Sequence, residues 1–308
     1  MSNYKETQFK PQEDKKESKL KVRAWAKINL GLDVTGRRED GYHLLRSVMQ
    51  TLDLHDTLEI EESSPGSALV RTDNPELPDG DDNLITRAAR AILQSYAPDA
   101  GVSIHVRKRI PLAAGLAGGS ADAAATLLGI RSLLGLRIPD DELMDMGGCL
   151  GADVPYCIKG GTALAEGIGE VLTDLPSMPD CAIVLAKPRV AVSTEEIYRR
   201  LDGGKPAAAP DIDAQIEALE RHDLRGIAAR LGNVLESVTS ALCPEVTRIK
   251  ERLLSMGALG AQMSGSGPTL FGIFDDEKKA GHACSVIKSE EEGTEVFLTR
   301  PRTAGLQI

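Results

Sequence analysis

Pro111-Leu112-Ala113-Ala114-Gly115-Leu116-Ala117-Gly118-Gly119-Ser120-Ala121-Asp122-Ala123-Ala124-Ala125 runs from a turn of small residues straight into a helix start. Gly115, Gly118 and Gly119 accept positive φ, and their missing side chains let another group approach closely. Ser120 is an N-cap residue by type, and Asp122 is expected in the first turn, where a carboxylate suits the helix dipole. The alanines and leucines that follow favour a helix to about Leu134. Such a loop aims several N–H groups at one point, which suits a phosphate. Close packing of a helix uses the same residue types, so the stretch alone leaves both readings open. Neither Gly-x-x-x-x-Gly-Lys-Ser/Thr nor Gly-x-Gly-x-x-Gly occurs; Gly204-Lys205 is followed by Pro206.

The rest of the chain narrows the class. Its 308 residues suit one large or two ordinary domains, and 42% apolar with 27% charged residues is a globular composition. Aromatics are 3%, so the core is expected to be mostly Leu, Val, Ile and Ala. A formal charge of −10 opposes a nucleic-acid partner, so an anionic ligand must be met by local N–H groups and a few Lys or Arg. Cys149, Cys157, Cys181, Cys243 and Cys284 form no Cys-x-x-Cys pair and read as buried reduced thiols. The histidines are scattered, and no Gly-x-Ser-x-Gly elbow opens a helix, which disfavours a zinc protease or a serine hydrolase of that type. Residues 1–20 are polar and charged, and read as a disordered tail rather than a signal peptide. No stretch approaches the ~18 apolar residues of a membrane span. The expectation is a cytoplasmic protein with no membrane partner.

Val22 to Val34 reads as a strand, as do Leu45 to Leu54 and Thr57 to Ile60, with a break at Asp53 to Asp56. Pro65-Gly66 and Asn74-Pro75 mark a loop region. Asn83 to Ala97 is an amphipathic helix, Val102 to Val106 an alternating strand, and Pro139-Asp140-Asp141-Glu142 a helix start. Cys181 to Ala186 reads as a central strand, Thr194 to Leu201 as a short helix, and Pro206 to Pro210 as a mobile loop. Two or three helices cover Asp211 to Ser240, and another covers Pro244 to Met256. Ala258 to Gln262, Thr269 to Phe274 and Thr294 to Leu298 are strands around a helix from Glu277 to Lys288. Without regular βαβ repetition this is an α+β chain rather than a doubly wound one.

Three segments stand out together. They are Ala24-Trp25-Ala26-Lys27-Ile28-Asn29-Leu30 with Gly41-Tyr42-His43, the loop at Pro111, and Gln262-Met263-Ser264-Gly265-Ser266-Gly267-Pro268-Thr269, a second glycine-rich turn. In this order they resemble the GHMP kinase superfamily. Its pattern is an N-terminal strand motif, a central Pro-x-x-x-Gly-Leu-x-small-Ser/Gly-Ser loop and a C-terminal Gly-Ser/Thr-Gly turn. Asp40-Gly41-Tyr42-His43, Asp82-Asn83-Leu84-Ile85, Leu150-Gly151-Ala152-Asp153-Val154-Pro155 and Ala165-Glu166-Gly167-Ile168-Gly169-Glu170 sharpen the resemblance to one branch. That branch uses ATP to phosphorylate the 2-hydroxyl of a diphosphocytidyl methylerythritol, in the non-mevalonate route to isoprenoid precursors. The resemblance spans about Val22 to Leu298.

It implies a two-domain GHMP kinase fold: a ribosomal-protein-like, ATP-binding domain over residues 21–177 and a ferredoxin-like α/β sandwich over residues 178–308, with the active site between them. It implies Lys27 and Asp153 as the catalytic pair. Asp153 would take the acceptor's proton; Lys27 would keep Asp153 ionised and stabilise charge on the phosphoryl group. Without the resemblance Lys27 reads as a solvated strand residue, and Asp153 as a turn former or cap. Residues Pro111 to Ala121 would cradle the ATP phosphates, with Gly265, Ser266 and Gly267 completing the cradle. Asn83 and Lys108 would lie near the adenine; by residue type alone they are an N-cap and a solvated strand end. Tyr42 and Tyr198 would sandwich the cytosine, His43 would bond its edge, and Asn29 would touch the methylerythritol or orient Asp153. ATP implies Mg²⁺, but no acidic pair announces its ligands.

The loop departs from Gly-Leu-Gly-Gly-Gly-Ser-Ser-Asn at Ala117, Ala121 and Asp122, which is expected to tune nucleotide affinity without abolishing it. Two other readings fit part of the pattern: another small-molecule kinase of homoserine or mevalonate type, and a non-catalytic nucleotide- or RNA-binding module. Tyr42 and Tyr198 oppose the first, because those acceptors carry no base. The charge of −10 and the Lys27/Asp153 pair oppose the second.

Overall fold

The computed structural model describes residues 19–77, 80–204 and 208–303, so most of the N-terminal tail and part of the Pro206–Pro210 loop lie outside the described residues. The first half opens on two long strands, β1 (Lys19–Arg37) and β2 (His43–Glu62), paired antiparallel. Then come β3 (Ala68–Thr72), α1 (Leu84–Tyr96), β4 (Val102–Arg107), α2 (Gly118–Leu133), α3 (Asp140–Leu150), α4 (Val154–Lys159), β5 (Thr162–Glu166) and β6 (Val171–Asp174). The second half holds β7 (Ala182–Lys187), α5 (Thr194–Asp202), α6 (Ile212–Glu220), α7 (Leu224–Ala229), β8 (Gly232–Asn233), α8 (Glu236–Leu242), α9 (Pro244–Ser255), β9 (Gly260–Met263), β10 (Leu270–Phe274), α10 (Glu277–Glu290) and β11 (Glu295–Thr299).

The break expected at Asp53 to Asp56 is absent: β2 is continuous. Its register against β1 shifts between Trp25 and Lys27, a bulge that keeps Leu52, Leu54 and Asp56 buried while Asp53 stays exposed. Charges at alternate positions of a strand are compatible with pairing when every second one faces out. Ala68–Thr72, within the expected loop region, is an edge strand parallel to β4.

Strands β3-β4-β2-β1-β8 form the path of a seven-stranded sheet, with β5 pairing β2 and β6 pairing β5. Helices α1 and α2 cover it, burying Ile85, Ile92, Leu127 and Ile130 against Val22, Leu58, Ile60 and Ile104. Strands β11-β7-β10-β9 form a four-stranded sheet, in the order fourth, first, third, second of a ferredoxin-like unit. Strand β7 is central, as its unbroken apolar run predicts.

A common core binds the halves. Ala26, Ile28 and Leu30 of β1 pack with Ile183 and Leu185 of β7, Phe271 and Ile273 of β10, and Ile212 and Leu219 of α6. The chain also crosses back twice: β8 pairs with β1 at Gly31↔Gly232, and beyond β11 the Asp53 amide donates to the Arg300 carbonyl at 2.9 Å. The cleft between the sheets therefore has walls held from several sides.

Candidate active site

The largest convergence of expected residues is a cleft of about 320 Å³ between the halves, lined by Lys27, Asn29, the loop from Pro111 to Gly119, Asp153, Thr194, Tyr198 and the turn from Gly265 to Gly267. Leu116 and Ala121 instead point into the core, and Ser120 does not line the cleft.

Helix α2 starts at Gly118, earlier than Ser120 predicts. The N-cap is Ala117, at φ +56° and with no side-chain cap. Ala113, Gly115 and Ala117 adopt positive φ at every second position. That alternation turns successive amides toward a common side, and the first amides of α2, at Gly118, Gly119 and Ser120, have no intrahelical acceptor. The result is an anion cradle on the cleft wall. Asp122 is not in the first turn either; it is buried one turn in, against Lys108.

Gly115 is required by contact as well as by φ. A Cβ there would stand 2.2 Å from the Ser264 carbonyl oxygen. The second glycine turn thus docks directly on the first. Ser264 Oγ donates to the Gly115 carbonyl at 2.9 Å and accepts from the Asn29 amide at 3.3 Å. Asn233 Nδ2 donates to the Met263 and Gly265 carbonyls, at 2.9 and 2.8 Å. Ser266 Oγ meets the Thr194 hydroxyl at 2.8 Å, tying the turn to α5.

Lys27 is not a solvated strand residue: its side chain is 5% exposed and its Nζ lies 3.5 Å from Asp153 Oδ2. Lys27 and Asn29, two apart in a regularly paired stretch of β1, lie on one face, and Lys27 Nζ donates to Asn29 Oδ1 at 2.8 Å. Asn29 Nδ2 in turn donates to Ser47 Oγ at 2.8 Å, and Ser47 Oγ to the Gly31 carbonyl at 2.6 Å. Asn29 therefore orients Lys27 rather than Asp153. The Lys27 amide donates to the Leu116 carbonyl at 3.1 Å, which locks the lysine strand to the loop. Asp153 precedes α4 but makes no capping bond, so its carboxylate is left to the cleft.

At the other end, the His43 ring stacks on Tyr198, with centroids 4.7 Å apart and planes 28° apart. Tyr198 lines the cleft; its burial, then the charge of Asp153, raise its phenol above the ordinary range. His43 Nε2 lies 2.7 Å from Asp202 Oδ1, and Arg37 pairs with the other Asp202 oxygen at 3.1 Å. Tyr42 is 60% exposed beside His43, whose ring is the one stacked on Tyr198.

Asn83 and Lys108 do not line the cleft. Asn83 caps α1, accepting from the Ile85 amide at 2.9 Å. Lys108 is no solvated strand end: its ammonium is buried and donates to Asp56 and Asp122, at 2.5 Å each. An ammonium in the interior must have carboxylate partners, and these two supply them. Ser47, Ser264, Thr194, Asn233 and Asp202 escaped sequence reading. Ser264 alone had a signal, its place inside the glycine-rich turn; Ser47 stands beside Arg46 in an ordinary mixed strand.

Comparison with known proteins agrees with this geometry. Residues 83–161 match the GHMP kinases N terminal domain and residues 215–292 the GHMP kinases C terminal domain. The chain belongs to the GHMP kinases, and it is a kinase with ATP as co-substrate. A protein of Lachnospira eligens is 46% identical over 92% of this chain and 99% of its own, and one of Acetivibrio thermocellus is 47% identical over 91% and 98%. Both are named 4-diphosphocytidyl-2-C-methyl-D-erythritol kinase. A crystal structure of 4-(cytidine 5'-diphospho)-2C-methyl-D-erythritol kinase is 34% identical, with TM-score 0.77 over 92% of this chain and 99% of its own. Within the GHMP kinases, this chain is a member of the family of those 4-diphosphocytidyl-2-C-methyl-D-erythritol kinases. A homoserine kinase of Cytophaga hutchinsonii, 20% identical at TM-score 0.75, shares the fold.

Proposed function

We propose that this chain transfers the γ-phosphoryl group of ATP to the 2-hydroxyl of 4-diphosphocytidyl-2-C-methyl-D-erythritol, giving the 2-phosphate and ADP. The observation that carries the reading is the convergence of the Lys27–Asp153 pair, the amide cradle and Tyr198 in one cleft. The product belongs to the non-mevalonate route to isoprenoid precursors. With no helix among the described residues long and apolar enough to cross a membrane, the cytoplasm is the proposed site of action.

The triphosphate lies on the amides from Ala113 to Ser120 and against the turn at Gly265 to Gly267. Asp153 orients the 2-hydroxyl and takes its proton as the oxygen attacks the γ-phosphorus. The bond to the bridging oxygen breaks and ADP leaves with the electron pair. Phosphoryl transfer of this kind rests on positioning and charge neutralisation. Lys27, held by Asn29, neutralises charge on the transferring oxygens. The cytosine is recognised at the Tyr42, His43 and Tyr198 end, where stacking on one aromatic is worth ~1–3 kcal/mol per base.

ATP-dependent transfer implies Mg²⁺. Among the described residues no group of three or more His, Cys, Asp or Glu side chains is placed to hold a metal, and Asp153 is the acidic side chain on the cleft wall. The donor set fits an ion carried by phosphate oxygens and water rather than a protein cage.

Coupled ADP release from the purified protein tests the assignment, with the diphosphocytidyl acceptor, homoserine and mevalonate compared. Turnover should depend on the diphosphocytidyl acceptor. Equal ADP release without it, or turnover with homoserine or mevalonate alone, would sink the proposal.

A further inference from the structure

Beneath the amide cradle lies a charge cluster that the reaction does not use. Asp56 on β2, Lys108 after β4 and Asp122 on α2 have side chains 0, 3 and 1% exposed. Lys108 Nζ donates to Asp56 Oδ2 and Asp122 Oδ2, at 2.5 Å each. The other Asp56 oxygen accepts the amides of Arg109 and Ile110, at 2.5 and 2.8 Å. Asp122 Oδ1 has no hydrogen-bond partner, so its carboxyl is held by Lys108 through Oδ2 alone.

The charges do not balance. Two carboxylates share one ammonium in a dry interior, where an uncompensated charge is costly. Asp56 is saturated with donors, so it is the carboxylate that Lys108 neutralises. Asp122 shares that same ammonium through Oδ2 and leaves Oδ1 without a donor, so of the two carboxyls it is the one that must hold a proton. Burial, acting against the pull of Lys108 and with the push of Asp56, raises the Asp122 carboxyl to about 8. Burial alone would lower Lys108, but the charges of Asp122 and Asp56 hold it above its ordinary value. Other ionisable groups around the cluster are Asp73, which accepts the Lys108 amide at 3.1 Å, and the buried Cys157 thiol on α4, on which Asp153, Lys27 and Asp122 all act.

The cluster grips both ends of the cradle. Asp56 holds the two amides that lead into Pro111, and Asp122 belongs to the helix whose first amides end the loop. A Cβ on Gly118 would stand 3.6 Å from Lys108 Nζ, so the cluster lies directly under the cradle. We infer that Asp122 is a positioning residue that must carry a proton for the loop to bind the ATP phosphates tightly. Loss of that proton leaves a buried negative charge, not matched by Lys108, below an anion site. The inference rests on the reading of the loop as the ATP cradle and adds a proton to its binding equilibrium.

Two measurements on the full chain and on Asp122→Asn test it. The asparagine has the shape of a protonated acid but cannot ionise. Infrared difference spectra at neutral pH should show a protonated carboxyl band in the parent protein that Asp122→Asn removes. The dissociation constant of a non-hydrolysable ATP analogue with Mg²⁺, followed from pH 7 to 9.5, should rise in the parent, approaching tenfold per pH unit above about 8. In Asp122→Asn it should stay flat. An unchanged infrared band, or equal slopes in the two proteins, overturns the inference. Absence of analogue binding at every pH overturns the reading of the loop itself, an outcome the infrared measurement distinguishes because it involves no nucleotide.

Discussion

Gly115→Ala is the sharpest perturbation of the cleft, because it is far smaller than the damage it should do. The new Cβ would stand 2.2 Å from the Ser264 carbonyl oxygen and 3.2 Å from both the amide nitrogen and the carbonyl oxygen of Gly267. Since real Cβ contacts essentially never fall below 3.0 Å, loop and turn must separate by about 0.8 Å. The residue is also at φ +72°, which costs a side chain ~1–2 kcal/mol. Separation weakens the Ser264 Oγ bond to the Gly115 carbonyl, worth ~1 kcal/mol. The expected destabilisation is ~2–3 kcal/mol, a drop of a few degrees in Tm for a chain of this size. The larger effect is on rate: a misplacement of ~1 Å between phosphate cradle and catalytic groups can cost ~10²-fold. Coupled ADP release should show kcat/KM for ATP down by about that factor, with circular dichroism reporting a folded protein. Gly281→Ala is the control, since a Cβ there meets nothing within 4 Å, and it should keep full activity. Activity of Gly115→Ala within threefold of the parent would refute the docking of the two turns as the origin of the cleft's geometry.

Three further outcomes are expected. Lys27→Met and Asp153→Asn should each lower kcat by ~10²–10⁴-fold while equilibrium ATP binding changes little, since neither builds the amide cradle; near-normal turnover in a folded variant removes that residue from the mechanism. Asp202→Asn should raise KM for the diphosphocytidyl acceptor several-fold and leave KM for ATP unchanged, because it releases His43 without touching the cradle; a change confined to ATP would contradict that placement. Ala117→Gly removes a left-handed alanine at φ +56°, a strain of ~1–2 kcal/mol set against the ~0.5–1 kcal/mol entropy penalty of glycine. Thermal melting should show equal or higher Tm, and a fall of several degrees would show the alanine methyl to be a packing group.

The sequence carried the site's endpoints and missed its supports. Glycine-rich turns, Lys27 in an apolar strand and Asp153 in Gly-Ala-Asp-Val-Pro are visible because function makes them locally odd. Asp122 was visible too but was read as a dipole partner, since its acidity says nothing of what lies beneath the helix. Lys108 looked like a strand end because its carboxylates come from positions 56 and 122, far away in the chain. Ser264 and Asn233 are ordinary residues whose partners, Gly115 and the Met263 carbonyl, are set by how the halves meet. Asp202 gives no signal until α5 brings it to His43.

What the chain order alone determined is local: the helix after the Pro111 loop, the central strand at Cys181 to Ala186, the α+β alternation and the motif set that marks a GHMP kinase. Periodicity, turn chemistry and positive-φ glycines act within a few residues and can be read in line. Only the tertiary structure decided that Asp53 to Asp56 continues a strand, that Lys27 leans on Asn29, that His43 stacks on Tyr198, and that two buried carboxylates share one lysine. Each of these depends on burial and on partners distant in sequence. The cost of burying a charge or an unpaired donor is settled only when the whole fold closes around it.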